Sequence, residues 1–295
     1  MRVVVAIVAL LVQCAALAGD TDERAIVGLD HIPLAVRDLG VAADSYARLG
    51  FALKNGRFHA NGIRNQHVKF PDGTGIELIT AAKESDALTG EYMRLLAEGE
   101  GPAFLALHTP ELAAVTDRLD RGGWSYAREG GFVQFRDPVL HFIFIAQGDN
   151  RSPTDRPEHF AHSNTANDLI GVWIASDASP RLRRLFADLG GAVSRRAILI
   201  PTRAEVDVIR LNNGEITLLS ASRQINPGRP VIGAVLRTRN LEDVRHGLEA
   251  SGVSTPTLVR GQGYCSIFVE PRLTHGIWLE FRGEPESPSC IEEGQ

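Results

Sequence analysis

A short apolar strand that leads into a helix and stops at glycine is written four times along this chain. Self-similarity of that kind narrows the fold before any single residue is weighed. The first copy runs Ile32-Pro33-Leu34-Ala35-Val36, then a helix through Ala42 to Leu49, stopped at Gly50. The second runs from Phe104 to Leu107, then Pro110 to Leu119, stopped at Gly122-Gly123. The third runs from Val172 to Ala175, then Pro180 to Leu189, stopped at Gly190-Gly191, and the fourth from Ile232 to Leu236, then Leu241 to Ala250, stopped at Gly252. Asp38, Thr109, Ser179 and Asn240 are the expected N-caps, with Pro110 or Pro180 in the first turn. After each helix come short β-rich runs parted by turn signals: Asp72-Gly73, Gly130-Gly131 with Asp137-Pro138, Asn213-Gly214, and Gly261-Gln262-Gly263. The pattern recurs every 60–70 residues, roughly, and predicts an α+β chain of four βαβββ units.

Strand parity then sorts the side chains. In the first strand Ile32, Leu34 and Val36 share the face that a helix should cover, which puts His31, Pro33 and Ala35 on the opposite, concave face. In the strand that ends this copy, Ile76 and Leu78 turn to the helix and Glu77 to the concavity. Between them Val68 and Phe70 alternate with Asn65, His67 and Lys69, so a polar row is expected along the inner face.

Composition limits the classes of function. Of 295 residues, 44% are hydrophobic and 23% charged, enough apolar material for one large core or two ordinary ones, so global disorder is not expected. Lys and Arg total 31 against 36 Asp and Glu, and the basic residues form no block, so no nucleic-acid surface is expected. Met1-Arg2, the apolar run Val3 to Val12 and the small-residue motif Ala16-Leu17-Ala18 stand in the order of a secretory signal peptide over residues 1–18. An exported chain, periplasmic or secreted, follows from that reading. A membrane anchor is the alternative, but residues 3–18 fall short of the roughly 20 apolar residues a spanning helix uses, so no stable insertion is expected after the leader is removed. A lipoprotein signal through Cys14 is disfavoured by the bulky Gln13 before it. Cys265 and Cys290 then remain, either bridged or as a buried strand cysteine and a loose one in the tail.

Paired βαβββ units with His opening the first strand and Glu in the fourth resemble the vicinal oxygen chelate (glyoxalase/bleomycin-resistance/dioxygenase) superfamily, and within it the glyoxalase-like domain branch. The residues that carry the resemblance are Leu29-Asp30-His31-Ile32, Leu49-Gly50-Phe51, Gly56-Arg57-Phe58-His59 with Gly62 and Asn65, and Gly75-Ile76-Glu77-Leu78-Ile79. Arg156-Pro157 followed by His162-Ser163-Asn164-Thr165-Ala166 is similar to a linker element of that branch. The likeness covers residues 28–80 well and 140–175 loosely; copies three and four share only the pattern. It implies two half-barrel modules, 28–147 (units 28–80 and 102–147) and 168–283 (units 168–220 and 230–283), with a linker at 148–167 and a flexible tail at 284–295. A homodimer is left open.

The resemblance also implies a divalent metal ion, Fe, Mn, Zn or Ni, with His31 and Glu77 as ligands. In metal enzymes of the superfamily the partner unit supplies further ligands, and here those positions are poor donors. Opposite His31 stand Pro102, Gly171 and Gly233, and opposite Glu77 stand Phe144, Thr217 and Glu280. His59, His67, His162, or Glu280 if units one and four share a barrel, are the remaining candidates. Gly56 and Gly62 around His59 allow backbone to approach a ligand. His59, Asn65, His67, His162 and Asn164 are therefore the expected substrate contacts, although His162 and Asn164 also suit turn and cap chemistry. His108, His141, His159, His246 and His275 show no partner pattern, and no phosphate loop, nucleophile elbow, Cys-x-x-Cys pair or His-Glu-x-x-His helix is present.

Two functions follow as expectations. One is a metal-dependent lyase, isomerase or dioxygenase acting on a small oxygen-bearing substrate, with the ion as Lewis acid and Glu77 or Glu280 as the catalytic base. The other is a non-catalytic protein that sequesters a small molecule in an aromatic-lined concavity, with Phe142, Phe144 and Trp278 as its wall. Either would have one polar site, in the concavity of copy one.

Overall fold

A computed structural model describes residues 25–253, 257–261, 263–283 and Cys290; the expected leader and most of the expected tail lie outside the described residues. No described helix is long and apolar enough to cross a membrane. The first segment comprises β1 (Gly28–Leu29), β2 (His31–Ala35), α1 (Leu39–Arg48), β3 (Lys54–Asn55), β4 (Ile63–Lys69) and β5 (Gly75–Ala81), followed by α2 (Ala87–Glu98). The second comprises β6 (Gly101–Pro102), β7 (Leu105–Thr109), α3 (Leu112–Arg121), β8 (Tyr126–Glu129), β9 (Phe132–Phe135) and β10 (Ile143–Gln147). The third comprises β11 (Ala166–Ala175), α4 (Ser179–Asp188), β12 (Ala192–Ile200), β13 (Thr202–Arg210) and β14 (Glu215–Leu219). The fourth comprises β15 (Val231–Thr238), α5 (Leu241–Ala250), β16 (Leu258–Arg260), β17 (Cys265–Val269) and β18 (Trp278–Gly283).

The four segments pair in chain order. In the first half, sheets β3-β4-β5-β2-β6 and β1-β7-β10-β9-β8 exchange their short leading strands, β6 pairing antiparallel with β2 and β1 antiparallel with β7. In the second half, β11 and β15 are long enough to pair directly, giving one curled sheet, β12-β13-β14-β11-β15-β18-β17-β16. Unit one therefore sits with unit two and unit three with unit four. The alternative pairing of one with four, which would have brought Glu280 to His31, does not occur.

Alternation decides what each sheet face does. Ile32, Leu34, Val36, Val68, Phe70, Ile76 and Leu78 join a buried cluster with the helices, and the same cluster continues through both halves to Leu279 and Phe281. The opposite, concave faces carry separate apolar clusters, Ala35, Ile63, Ile79 and Ala81 in the first half and Trp173, Val208 and Val235 in the second. Gly233 explains itself here: a Cβ at that position would lie 2.3 Å from the Trp173 ring, so glycine lets the indole fill the second concavity.

Caps follow the sequence at two helices and miss by a residue or two at the others. Asp38 accepts from Gly40 N at 2.8 Å and Val41 N at 3.0 Å, and Asn240 accepts from Glu242 N at 3.0 Å. At α3 the cap position is Glu111, and Thr109 Oγ1 instead accepts from Glu111 N; at α4 Ala178 is the cap and Ser179 is already helical. Gly50 ends α1 at φ 89°, a conformation a side chain would resist.

Helix α2 was not anticipated. Asp86 accepts from Thr89 N at 2.8 Å while Thr89 Oγ1 accepts from Asp86 N at 2.9 Å, a reciprocal cap that starts the helix. Its buried residues Tyr92 and Leu96 lie over one end of the first concavity with Phe104. The buried Arg229 guanidinium donates to the carbonyls of Leu95, Gly99 and Gly101, fastening the end of α2 to the second half.

The linker docks on unit one. Lys69, 3% exposed, donates to Asn150 O and to Asp155 Oδ2, and Lys54 Nζ reaches Asp155 Oδ1 at 2.5 Å. Cys265 and Cys290 form a disulfide with Cα atoms 5.5 Å apart, tying residue 290 to β17.

Candidate functional site

The first concavity gathers the polar row expected from parity. His31 opens β2, and its Nε2 lies 3.4 Å from Glu77 Oε2 on the parallel neighbour β5. Glu77 Oε1 accepts a short hydrogen bond, 2.5 Å, from Asn65 Nδ2 on β4, and His67 is the direct cross-strand partner of Glu77. His31 Nδ1 is 3.3 Å from Asp30 Oδ1, close enough for charge attraction but misaligned for a hydrogen bond, so both atoms keep unspent bonding capacity. Asn65 Oδ1 and His59 Nε2 are likewise buried without a partner among the described residues.

Charge follows from this geometry. Burial works to lower the His31 pKa, but the carboxylates of Asp30 and Glu77 outweigh it and raise it to about 10. Glu77 is pulled the other way: burial opposes its charge, and His31, His67 and the Asn65 amide overcome that and hold it at about 2. His67 is lowered to about 4, chiefly by burial, with Glu77 resisting and His31, Lys69 and Lys54 adding to the fall. At neutral pH the row therefore holds a charged His31–Glu77 pair beside a neutral His67.

The opposite wall is aromatic and comes from unit two. Phe144, on β10, meets the His31 ring edge-on at 6.1 Å, and Phe104 and Phe132 pack around Phe144 at 6.3 and 6.4 Å. Tyr92 of α2 completes the set at 5.7 Å from Phe104. The position in unit two that corresponds to Glu77 thus supplies ring surface where unit one supplies charge. Beside Asn65 a cavity of ≈ 490 Å³ opens along the edge of β4, lined by residues that include Gly56, Phe58 and His59. A Cβ at Gly56 would strike the Asn65 side chain at 1.7 Å, so the glycine is what lets the loop lie against that amide. Phe58, 91% exposed, stands at the rim.

These residues do not make up a metal site. A divalent ion needs several N or O donors at about 2.0–2.2 Å. Here His31 Nε2 and Glu77 Oε2 face one another, the other Glu77 oxygen is taken by Asn65, and Asp30 addresses the far side of the imidazole. Among the described residues no group of three His, Cys, Asp or Glu side chains is placed to hold an ion.

Three expected residues lie elsewhere. His162 sits on the helix side, its ring between Phe51 and Phe70 at 5.6 and 5.2 Å. Its Nδ1 accepts from Ala52 N at 3.0 Å and its Nε2 donates to Lys69 O at 2.9 Å, so both ring nitrogens are spent on backbone. Asn164 donates to Leu49 O and accepts from Ala166 N. Both are corrected from substrate contacts to residues that dock the linker. Glu280 is corrected as the catalytic base beside His31: it lies in the second half, fully buried, accepting from Ser266 Oγ at 2.6 Å and Arg282 Nε at 2.8 Å. Phe142 belongs to the helix-side cluster and Trp278 to the second concavity, so of the three aromatics expected as a wall only Phe144 is one. A polar group also occupies the second concavity, where none was expected.

Asp30 and Tyr92 were missed as site residues. Asp30 falls in the break between β1 and β2, where alternation fails, and its only signal was its place beside His31. Tyr92 was legible through the apolar spacing Leu88, Tyr92, Leu95, Leu96 behind the Asp86 cap.

Comparison with known proteins agrees with this architecture. Residues 29–190, more than half of the chain, match the family described as "Glyoxalase-like domain". No curated protein sequence matches. The fold is similar to the Mn(II)-bound glyoxalase from Novosphingobium aromaticivorans, at TM-score 0.57 and 15% identity over 89% of this chain and 83% of that one. It is also similar to homoprotocatechuate 2,3-dioxygenase from Arthrobacter globiformis, at TM-score 0.59 and 14% identity over 90% and 83%. A xylose isomerase-like TIM barrel/4-hydroxyphenylpyruvate dioxygenase fusion protein matches at TM-score 0.62 and 12% identity over 90% of this chain, which spans 50% of the fusion's length. With the family's sequence running from β1 through α4 and the fold shared beyond it, the chain belongs to the glyoxalase-like domain family of the vicinal oxygen chelate superfamily.

Proposed function

We propose that this protein binds a small hydroxyl-bearing aromatic molecule in the concavity of its first half. The observation that carries the reading is a set of buried polar atoms without a hydrogen-bond partner among the described residues, Asp30 Oδ1, His31 Nδ1 and Asn65 Oδ1, in a row whose His31 ring meets Phe144, backed by Phe104 and Tyr92. A buried polar atom left unpaired costs about 1–3 kcal/mol, so a group of them is retained more readily where a ligand or ordered water completes it. A ring hydroxyl suits both halves of the site. Its oxygen accepts from protonated His31, its proton goes to Asp30 or Asn65, and its ring lies against Phe144.

The metal-dependent lyase, isomerase or dioxygenase reading is weaker on the same geometry, because the donor set stops at His31 and Glu77. Proton transfer by the pair itself is also disfavoured. A general base works best with a pKa near the operating pH, and His31 near 10 and Glu77 near 2 are both far from it. The glyoxalase and the dioxygenase that share this architecture lend fold, and the chemistry rests on this chain's residues.

Calorimetric titration with catechol and with phenol tests the reading. Saturable binding that is lost in His31→Ala and weakened in Phe144→Ala supports it. No binding by the wild type, together with stoichiometric divalent metal in protein purified without chelator, would overturn it in favour of the metal enzyme.

A further inference from the structure

We propose that the concavity of the second half is a separate site for a small organic monocarboxylate, held by Arg196, Arg282 and Tyr264. Parity on β18 sends Leu279 and Phe281 to the helix core and leaves Glu280 and Arg282 on the concave face. Arg282 donates to both oxygens of the buried Glu280, at 2.8 and 3.1 Å, and its third nitrogen lies 3.5 Å from Glu215 Oε1. Arg196 Nη2 reaches Glu215 Oε2 at 2.5 Å, and the Arg282 guanidinium lies 4.5 Å over the Tyr264 ring. The rest of that face is apolar, with Trp173, Val208, Val235 and Phe268, so the fold had a hydrocarbon alternative at these positions. Buried ion pairs often do no more than break even against such an alternative, which makes stability alone a poor reason for this one.

The cluster has donors to spare and opens onto space. Arg196 Nε is buried with no acceptor among the described residues. The Tyr264 hydroxyl accepts from Leu199 N at 3.2 Å, which leaves its own proton to give. Both residues line a cavity of ≈ 500 Å³, large enough for a small organic acid, whose wall also carries Arg195, Arg203 and the apolar Ile198. Unspent donors select the ligand. Arg195 is paired with Asp207 at 3.6 Å, and Arg196 and Arg282 meet Glu215 and Glu280, so what the wall still offers is the Arg196 Nε–H and the Tyr264 hydroxyl proton. One carboxylate accepts from both, beside guanidinium groups that favour its charge, and lays its carbon body against Ile198. None of this depends on the reading of the first concavity.

Titration of the full chain with sodium benzoate and with inorganic phosphate at fixed ionic strength, followed by calorimetry and amide NMR, tests the site. Benzoate is expected to bind saturably and to move the Tyr264 and Ser266 resonances. Affinity should fall at least about tenfold in Arg196→Gln and several-fold in Tyr264→Phe, which keeps the ring under Arg282. Phe144→Ala in the other concavity should leave it unchanged. The proposal is overturned if benzoate does not bind, if both variants bind it as the wild type does, if Phe144→Ala abolishes it, or if phosphate binds as tightly as benzoate.

Discussion

Replacing Glu77 with Gln tests the electrostatics of the first concavity at one atom. Gln is nearly isosteric and its oxygen still accepts from Asn65, but it brings no charge to His31. The rise of the His31 pKa from 6.5 to about 10 corresponds to roughly 5 kcal/mol between its two protonation states, at about 1.4 kcal/mol per pH unit. Two carboxylates share that sum against burial, so loss of one should cost about 2 kcal/mol and bring the His31 midpoint toward the neutral range. The sign is fixed by linkage. A group whose folded pKa is raised stabilises fully below its unfolded value of 6.5 and loses that contribution as pH rises through about 10. Wild-type stability should therefore decline between pH 6.5 and 10, and Glu77→Gln should be less stable at pH 7 with a flatter decline. Urea denaturation across that range, with His31 followed by imidazole NMR, gives both quantities. If the variant keeps its midpoint near 10 and loses under about 0.5 kcal/mol, Asp30 alone holds the proton and the paired account is wrong.

Three further outcomes follow from the same structure. His67, with a folded pKa of about 4, stabilises as a neutral ring, so stability should be full above 6.5 and fall as pH drops toward 4; His67→Gln should flatten that acid limb in urea titrations. His162→Leu strands Ala52 N and Lys69 O and should cost about 2–4 kcal/mol with no change in catechol affinity; weaker binding by a folded variant would return His162 to the site. The intact mass without reductant should be lighter by two hydrogens than after reduction, and Cys290→Ser should cost about 3 kcal/mol, whereas free thiols at both positions would contradict the bridge.

Alternation carried most of what was legible in the sequence. Ile32, Leu34 and Val36 mark the helix side of β2, and from them His31 and Glu77 follow onto one face by alternation alone. Period and parity are local, and so were their failures. Asp30 escaped because it sits where two strands meet, and α2 because the repeat made every segment look like strand, helix and turn, although Asp86 and the apolar spacing behind it mark the helix in the sequence. His162 and Asn164 were read from a motif that records a linker's docking as readily as a ligand contact. Glu280 was placed on the correct face and beside the wrong partners, since Ser266 of β17 reaches it through a strand pairing that no local pattern encodes, and Arg282 of its own strand takes its two oxygens. The leader peptide over residues 1–18 remains a proposal, tested by the N-terminal residue of exported protein.

The most direct test of the central claim is the His31 imidazole itself, watched by NMR while catechol is added at pH 7. Binding at the polar row requires the His31 resonances to move and saturate with catechol in the wild type, and to stay still over the same range in Phe144→Ala, whose wall is gone. Catechol that leaves His31 unmoved, or that binds His31→Ala as tightly as the wild type, would contradict the account.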